Sequence, residues 1–201
     1  MFMFKTFRRM DCFKELSDEE IQVLASISTP KLLRKKEKLL EPGQPFNHLF
    51  ILTGGLLRFF FDDENGVEIN TFLPSEKEVA FMESPESYSP EGTKKYTIQA
   101  VIDSQIFLFN KGEFEQTAFQ HKGIYNLYLK SLKQIISILS ARTEQFCKSS
   151  PLSRYEDFLS SHPFVCQNAN RKYIANFLGI TPNSLSRITA RDNKKKNQGK
   201  K

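Results

Sequence analysis

Between Asn170 and Arg191 the chain reads NRKYIANFLGITPNSLSRITAR. Its second half carries Thr181, Asn183, Ser184, Ser186, Arg187 and Arg191. Amides, hydroxyls and guanidinium groups displayed on a short helix are the groups that bond to base edges and phosphates in a DNA major groove. Gly179 stands where a first helix must stop, at a position that favours a left-handed backbone. Thr181 can cap a second helix and Pro182 can open it, since the missing N–H has no cost there. Ile174, Ala175, Phe177 and Leu178 from the first helix, Leu185 and Ile188 from the second, and Ile180 in the turn are expected to face inward. Ala175 is small enough for the two helices to cross closely. An ordinary αα-hairpin in a helical core would share this local pattern.

Catalytic chemistry has fewer residues to draw on. A metal-dependent cupin-type enzyme needs several His and Glu ligands converging inside a barrel, but His48, His121 and His162 fall in different elements. No Gly-rich phosphate loop, nucleophile elbow or HExxH motif occurs. Asp62, Asp63 and Glu64 are adjacent acids at a hairpin tip, where solvated turn residues are expected. Cys12, Cys147 and Cys166 are scattered and make neither a disulfide framework nor a CxxC metal site. The expectation is a protein that is not an enzyme.

The elements that must position the helix pair can be read along the 201 residues. Ser17 to Ser28 reads as a helix with capping-box spacing between Ser17 and Glu20, and Pro30 lies beyond it. From Lys31 to Asn110 the texture changes to short strands. These are His48 to Thr53, Leu56 to Phe61, Val67 to Leu73 after the Asn-Gly turn at 65–66, Tyr96 to Ile102, and Gln105 to Asn110. They suggest a small antiparallel barrel or roll. Pro74 to Lys95 reads as a long polar loop. Gly112 to Phe119 is a short helix, and Gly123 to Phe146 a long one with two apolar stripes. One stripe holds Ile124, Leu127, Tyr128, Ile135 and Ile138, and the other Tyr125, Leu129, Leu132, Ile136 and Leu139. One face could cover the roll while the other pairs with a second subunit; Ile124, Tyr128, Ile135 and Ile138 form the expected dimer face. Pro151 opens a further helix to Ser160. The fold class is therefore α+β. Its expected units are a roll domain over 1–120, a long dimerisation helix over 121–149, a helix-turn-helix domain over 150–190 and a basic disordered tail over 191–201.

The net charge is +6, and the tail carries six basic residues against one acid. Such a tail could add salt-dependent phosphate contacts without specificity. No apolar run approaches the ~18 residues of a membrane span, and the N-terminal MFMFKTFRRM is too short for a signal peptide. A cytoplasmic protein without a membrane partner is expected.

The order of leading helix, strand-rich roll, long helix and C-terminal helix-turn-helix resembles the Crp/Fnr family of bacterial transcription regulators. RKYIANFLGITPNSLSRI looks like the family's helix-turn-helix, and HLFILTGGLLRFFFDDENGVEI is similar to its cyclic-nucleotide-binding-like roll, a double-stranded β-helix. The resemblance implies a homodimer binding two-fold-related DNA half-sites, with RNA polymerase as a candidate partner. Asn183, Ser184 and Arg187 are then the base-contacting residues, and Arg187 matches a family arginine able to grip guanine. Position 182 is proline where some members carry a base-reading side chain. Little sequence is left for the winged hairpin, so a reduced wing is expected. In cyclic-nucleotide-binding members a Gly-Glu and an Arg-Ser or Arg-Thr hold the ribose and phosphate. Here the matching positions are Lys77-Glu78 and Lys94-Lys95, which leaves Glu78, Lys94 and Lys95 as effector-site candidates without the glycine or the arginine fork. The substitutions argue against a cyclic nucleotide and for another small effector, or none. Phe59, Phe60, Phe61, Phe72 and Phe81 could make the roll interior too apolar and too full for a nucleotide. Three scattered cysteines cannot hold an iron–sulfur cluster, and His48 or His121 as a haem ligand would be a lone histidine. No cofactor is expected. The alternative function is a ligand-binding roll whose DNA-binding end is vestigial.

Overall fold

The structure is a computed structural model that describes residues 2–75, 79–88, 95–148 and 150–198, the stretch 191–198 as backbone alone. Two short helices lead the chain, α1 (Phe2–Arg8) and α2 (Asp18–Ser26). Ser17 caps α2 in a full capping box with Glu20. Eight strands follow: β1 (Ser28–Leu33), β2 (Lys38–Leu40), β3 (His48–Gly54), β4 (Leu57–Asp62), β5 (Glu68–Phe72), β6 (Met82–Glu83), β7 (Thr97–Ala100) and β8 (Ser104–Asn110). They pair antiparallel in two four-stranded sheets, ordered β1-β8-β3-β6 and β2-β7-β4-β5. Pro30 sits within β1, an edge strand, where its missing N–H breaks no ladder. Of the adjacent acids, Asp63 and Glu64 lie in the β4–β5 turn, as expected, whereas Asp62 ends β4 opposite Glu68. Asp63 Oδ1 accepts from the backbone N–H groups of Asn65 (2.8 Å) and Val67 (2.9 Å), which holds the hairpin closed.

The helical half consists of α3 (Lys111–Gln120), α4 (Lys122–Lys148), α5 (Pro151–Ser161), α6 (Pro163–Asn168), α7 (Arg171–Phe177) and α8 (Pro182–Gln198). At 27 residues α4 is about 40 Å long. No helix among the described residues is long and apolar enough to cross a membrane. Beyond α4 the described residues contain no strand, so no β-hairpin wing flanks the helix pair.

Several elements differ from the sequence reading. The N-terminus forms α1 because Phe7 is an anchor: it is fully buried, edge-on to Phe13 (5.3 Å) and Phe107 (4.8 Å). Burying such a ring contributes roughly 1.5–3 kcal/mol, enough to hold a short helix that has little stability alone. The stretch expected to be a polar loop is lined with core residues over 79–84, all buried, and contributes β6. Its backbone is tied to α4, where the Phe81 N–H donates to Ser131 Oγ (3.3 Å). The connector after His162 contains α6, opened by Pro163. The tail expected to be disordered from Arg191 continues α8 to Gln198. Extending a nucleated helix fixes one residue per added hydrogen bond, and basic residues near its C-terminus favour the helix dipole.

Candidate functional site

The helix pair α7–α8 is built as its local chemistry dictates. The Gly179 N–H donates to Asn176 O and the Ile180 N–H to Ala175 O, both at 3.0 Å. This is a Schellman turn with Gly179 left-handed at φ +66°. The Ser184 N–H donates to Thr181 Oγ1 (3.1 Å), which caps α8, and Pro182 takes the first helical position. Ile174, Ala175, Leu178 and Leu185 are buried, and Phe177, Ile180 and Ile188 half-buried, so the inward face is the one expected.

The outward face is narrower than the sequence implies. Asn183 and Arg187 are exposed on α8, free of the cap. Thr181 and Ser184 are joined in the cap, the Thr181 hydroxyl donating to Ser184 Oγ (2.9 Å). Ser186, though exposed, donates to Pro182 O within its own helix (3.0 Å). The Arg191 side chain lies outside the described residues. Arg171 and Lys172 are exposed at the start of α7 and add positive charge beside the pair.

The long helix corrects one assignment. Ile124 is fully buried in the core under α1 and α2, Tyr128 packs on that core, and Ile135 and Ile138 pack on the roll interior. The stripe expected to pair two subunits is therefore consumed within one chain. Tyr125, Ile136 and Leu139 of the other stripe are left outside, with Ile136 63% exposed. The two stripes are similar in composition, and the packing of Ile124 under α1 and α2 sets which one meets the roll.

Four side chains that the sequence reading passed over join the helix pair to the roll. Asn176 of α7 donates to Glu68 O and accepts from the Asn70 N–H, so its amide extends the edge of β5. Tyr173 of α7 covers Arg58 of β4, whose guanidinium lies 4.1 Å from the Tyr173 ring and 3.8 Å from Phe60. Arg58 is buried, forks onto Glu68 (2.7 and 3.1 Å) and reaches Gln99 Oε1 (2.8 Å). This fork, acting against burial, which raises it, holds the Glu68 carboxyl below its ordinary value. Arg142 of α4 donates to the carbonyls of Thr71, Asn70 (2.9 Å) and Phe177 (3.1 Å), and stacks 4.2 Å over Phe177. Burial pushes its guanidinium down to about 10. Leu56, Leu73 and Val101 of the roll share one apolar cluster with α5, α6, α7 and α8. Arg142 had a visible signal, as a lone charge four residues beyond Ile138 on an apolar stripe. Arg58 and Asn176 had none.

Between β4–β5 and α4 lies a cavity of about 280 Å³. Phe59, Thr71 and Phe72 form its sheet side, Ile135, Ile138 and Leu139 its helix side, and Met82, Glu83, Pro85 and Tyr96 its floor and rim. The phenylalanines make the interior apolar without filling it. Among the effector-site candidates, Glu78 and Lys94 lie outside the described residues. Lys95 sits 4.5 Å over the Phe61 ring and is not among the cavity-lining residues. His48, His121 and His162 lie apart, at the start of β3, the end of α3 and the α5–α6 junction. Among the described residues no group of three or more His, Cys, Asp or Glu could hold a metal ion.

No protein-family model matches the sequence, and no curated protein matches it. Solved structures do match in fold. The c-di-GMP responsive global regulator CLP of Xanthomonas campestris matches with a TM-score of 0.67 at 13% identity, over 89% of this chain and 93% of that one. A mutant of CooA from Carboxydothermus hydrogenoformans matches with a TM-score of 0.67 at 17% identity, over 90% and 80%. A protein of Eubacterium rectale assigned as a crp/fnr-family transcriptional regulator gives 0.67 at 15% identity, over 89% and 84%. At such identities the likeness is one of fold, and over most of its length this chain has the Crp/Fnr fold: an antiparallel β-roll, a long helix and a C-terminal helix-turn-helix.

Proposed function

We propose that the protein is a DNA-binding transcription regulator of the Crp/Fnr type, acting as a homodimer and not as an enzyme. The observation that carries this reading is the capped helix α8, which buries Leu185 and presents Asn183 and Arg187 to solvent. An exposed guanidinium near the start of such a helix can grip guanine through two parallel hydrogen bonds, and an amide can do the same for adenine. Arg171 and Lys172 are placed to serve the phosphates beside the groove. The stripe of Tyr125, Ile136 and Leu139 supports the dimer, since an apolar face this exposed on a long helix is suited to its own copy about a two-fold axis. Two α8 helices so paired would read half-sites one turn apart, about 34 Å. The cavity between the roll and α4 is the effector site of this reading.

The test is footprinting on the DNA upstream of the protein's own gene across a range of salt. A protected two-fold site is expected. Arg187→Ala should lose roughly 1–3 kcal/mol of discrimination at one base pair while the folded dimer survives. No specific complex at any salt, or unchanged base preference in Arg187→Ala, would refute the reading or the residue's role respectively.

A further inference from the structure

We propose that the cavity between β4–β5 and α4 binds a small, uncharged, largely apolar molecule, of the size of a fused bicyclic aromatic, in preference to any anion. The inference rests on the regulator reading and names the ligand chemistry of its effector site. Size comes first. A cavity of 150 Å³ lined by Leu, Ile and Phe stays dry and takes up benzene, so about 280 Å³ accommodates two fused rings.

The wall sets the chemistry. Phe59, Phe72, Met82, Ile135 and Ile138 offer hydrocarbon, aromatic ring and thioether. Two of its polar groups are already engaged. Glu83, almost wholly buried, accepts from Lys111 Nζ (2.8 Å) and from the Tyr128 hydroxyl (2.6 Å). The Thr71 hydroxyl donates to Phe59 O (3.2 Å). Ser84, between the wall residues Glu83 and Pro85, carries a buried hydroxyl with no hydrogen-bond partner. Tyr96 adds a phenol, kept neutral because burial and the carboxylate of Glu86 raise its ionisation above the ordinary value. Among the described residues no basic side chain lines the cavity. Against that apolar wall and the buried Glu83 carboxylate, whose partner Lys111 is already engaged, an anion would find no free counter-charge among the described residues, and its desolvation is unfavourable by several kcal/mol. Arg142, one helical turn beyond Ile138, is committed to three carbonyls.

The position gives such a ligand leverage. Thr71 lines the cavity and its carbonyl accepts from Arg142, which also holds Phe177 of α7. A molecule wedged between β5 and the Ile138 turn therefore bears on the contacts that seat the helix pair.

The test titrates the purified full chain with 2-naphthol, neutral at pH 7, with 2-naphthoate, which keeps the ring but adds a charge, and with cyclic AMP, by calorimetry. 2-Naphthol should bind at least about tenfold more tightly than either anion, the factor that 1.4 kcal/mol represents. Ile138→Phe, which fills the cavity from the helix side, should weaken 2-naphthol by a similar factor; Ile135→Phe is the second filling variant. Both leave untouched Tyr125 and Ile136, outer-stripe residues that do not line the cavity, so adsorption there would persist in them. Equal or tighter binding of either anion, undiminished binding in the folded filled variant, or no binding of 2-naphthol would each overturn the proposal. The charge comparison needs no variant to fold. A gel shift on the same protein separates the two readings: DNA binding without 2-naphthol binding overturns the ligand class alone, and the reverse overturns the regulator alone.

Discussion

Gly179 is under two constraints at once, and a double-mutant cycle can separate them. Its φ of +66° is left-handed, and a Cβ placed there would lie 2.5 Å from Phe146 Cε1 and 3.3 Å from Cζ. Phe146 belongs to the last turns of α4, so the turn of the helix pair rests against the long helix. In Gly179→Ala the backbone contribution is about 1–2 kcal/mol, the strain of an L-residue in the left-handed region. The steric contribution is smaller because Phe146 is 42% exposed and can turn aside. Pushing the ring off its rotamer costs about 1 kcal/mol. The expected total is about 2–3 kcal/mol, a fall in Tm of roughly 4–12 °C for a chain of this size. In a Phe146→Ala background the clash disappears and only the backbone strain is left. The coupling energy should then be about 1 kcal/mol, within the usual range for residues in contact. Urea unfolding of the four proteins measures it. A single-mutant cost below about 0.5 kcal/mol would refute the left-handed turn. A cost that stays the same without the Phe146 ring would refute the seat on α4.

Two further outcomes follow from the contacts between roll and helix pair. Arg142→Ala strips donors from three main-chain carbonyls and should destabilise the chain by about 2–4 kcal/mol, with faster amide exchange in β5 and α7. Arg142→Lys should restore little, because one ammonium cannot reproduce the guanidinium fork, and full rescue by lysine would contradict the assigned geometry. Glu68 ionises below its ordinary value because of Arg58, so the pair's stabilisation is present above the unfolded carboxylate range and is lost as pH falls through the lower folded value. Thermal unfolding between pH 6 and pH 3, conditions set by the ordinary Glu pKa near 4.3, should show a shallower acid limb in Glu68→Gln than in the parent, and equal slopes would refute the linkage.

The helix-turn-helix was legible because everything that shapes it is local. A glycine at the stop, a threonine cap and a proline at the first position act within a few residues of each other, and the observed turn uses all three. The β4–β5 hairpin was legible for the same reason, since Asp63 and Gly66 close it through bonds spanning four residues or fewer. Five of the eight strands, β3, β4, β5, β7 and β8, followed from short apolar runs divided by turn signals, and the long α4 from its apolar stripes. By itself, then, the amino-acid order determined the helix pair, the β4–β5 hairpin, the long α4 and the polar face of α8.

The tertiary structure decided which faces meet. Two apolar stripes on α4 have the same period and similar composition, and only the packing of Ile124 under α1 and α2 turns the first one inward. The N-terminal helix exists because Phe7 finds Phe13 and Phe107, the latter 100 positions away in the chain. The segment 79–84 is polar in its surroundings yet buried, because Ser131 and Tyr128 of α4 reach it across the fold. Arg142 and Asn176 bond to main-chain atoms of β5, and a carbonyl or N–H looks the same in every residue of the sequence. Contacts of that kind leave no local pattern. They appear only once the roll, the long helix and the helix pair are brought together, and they determine how α8 is held.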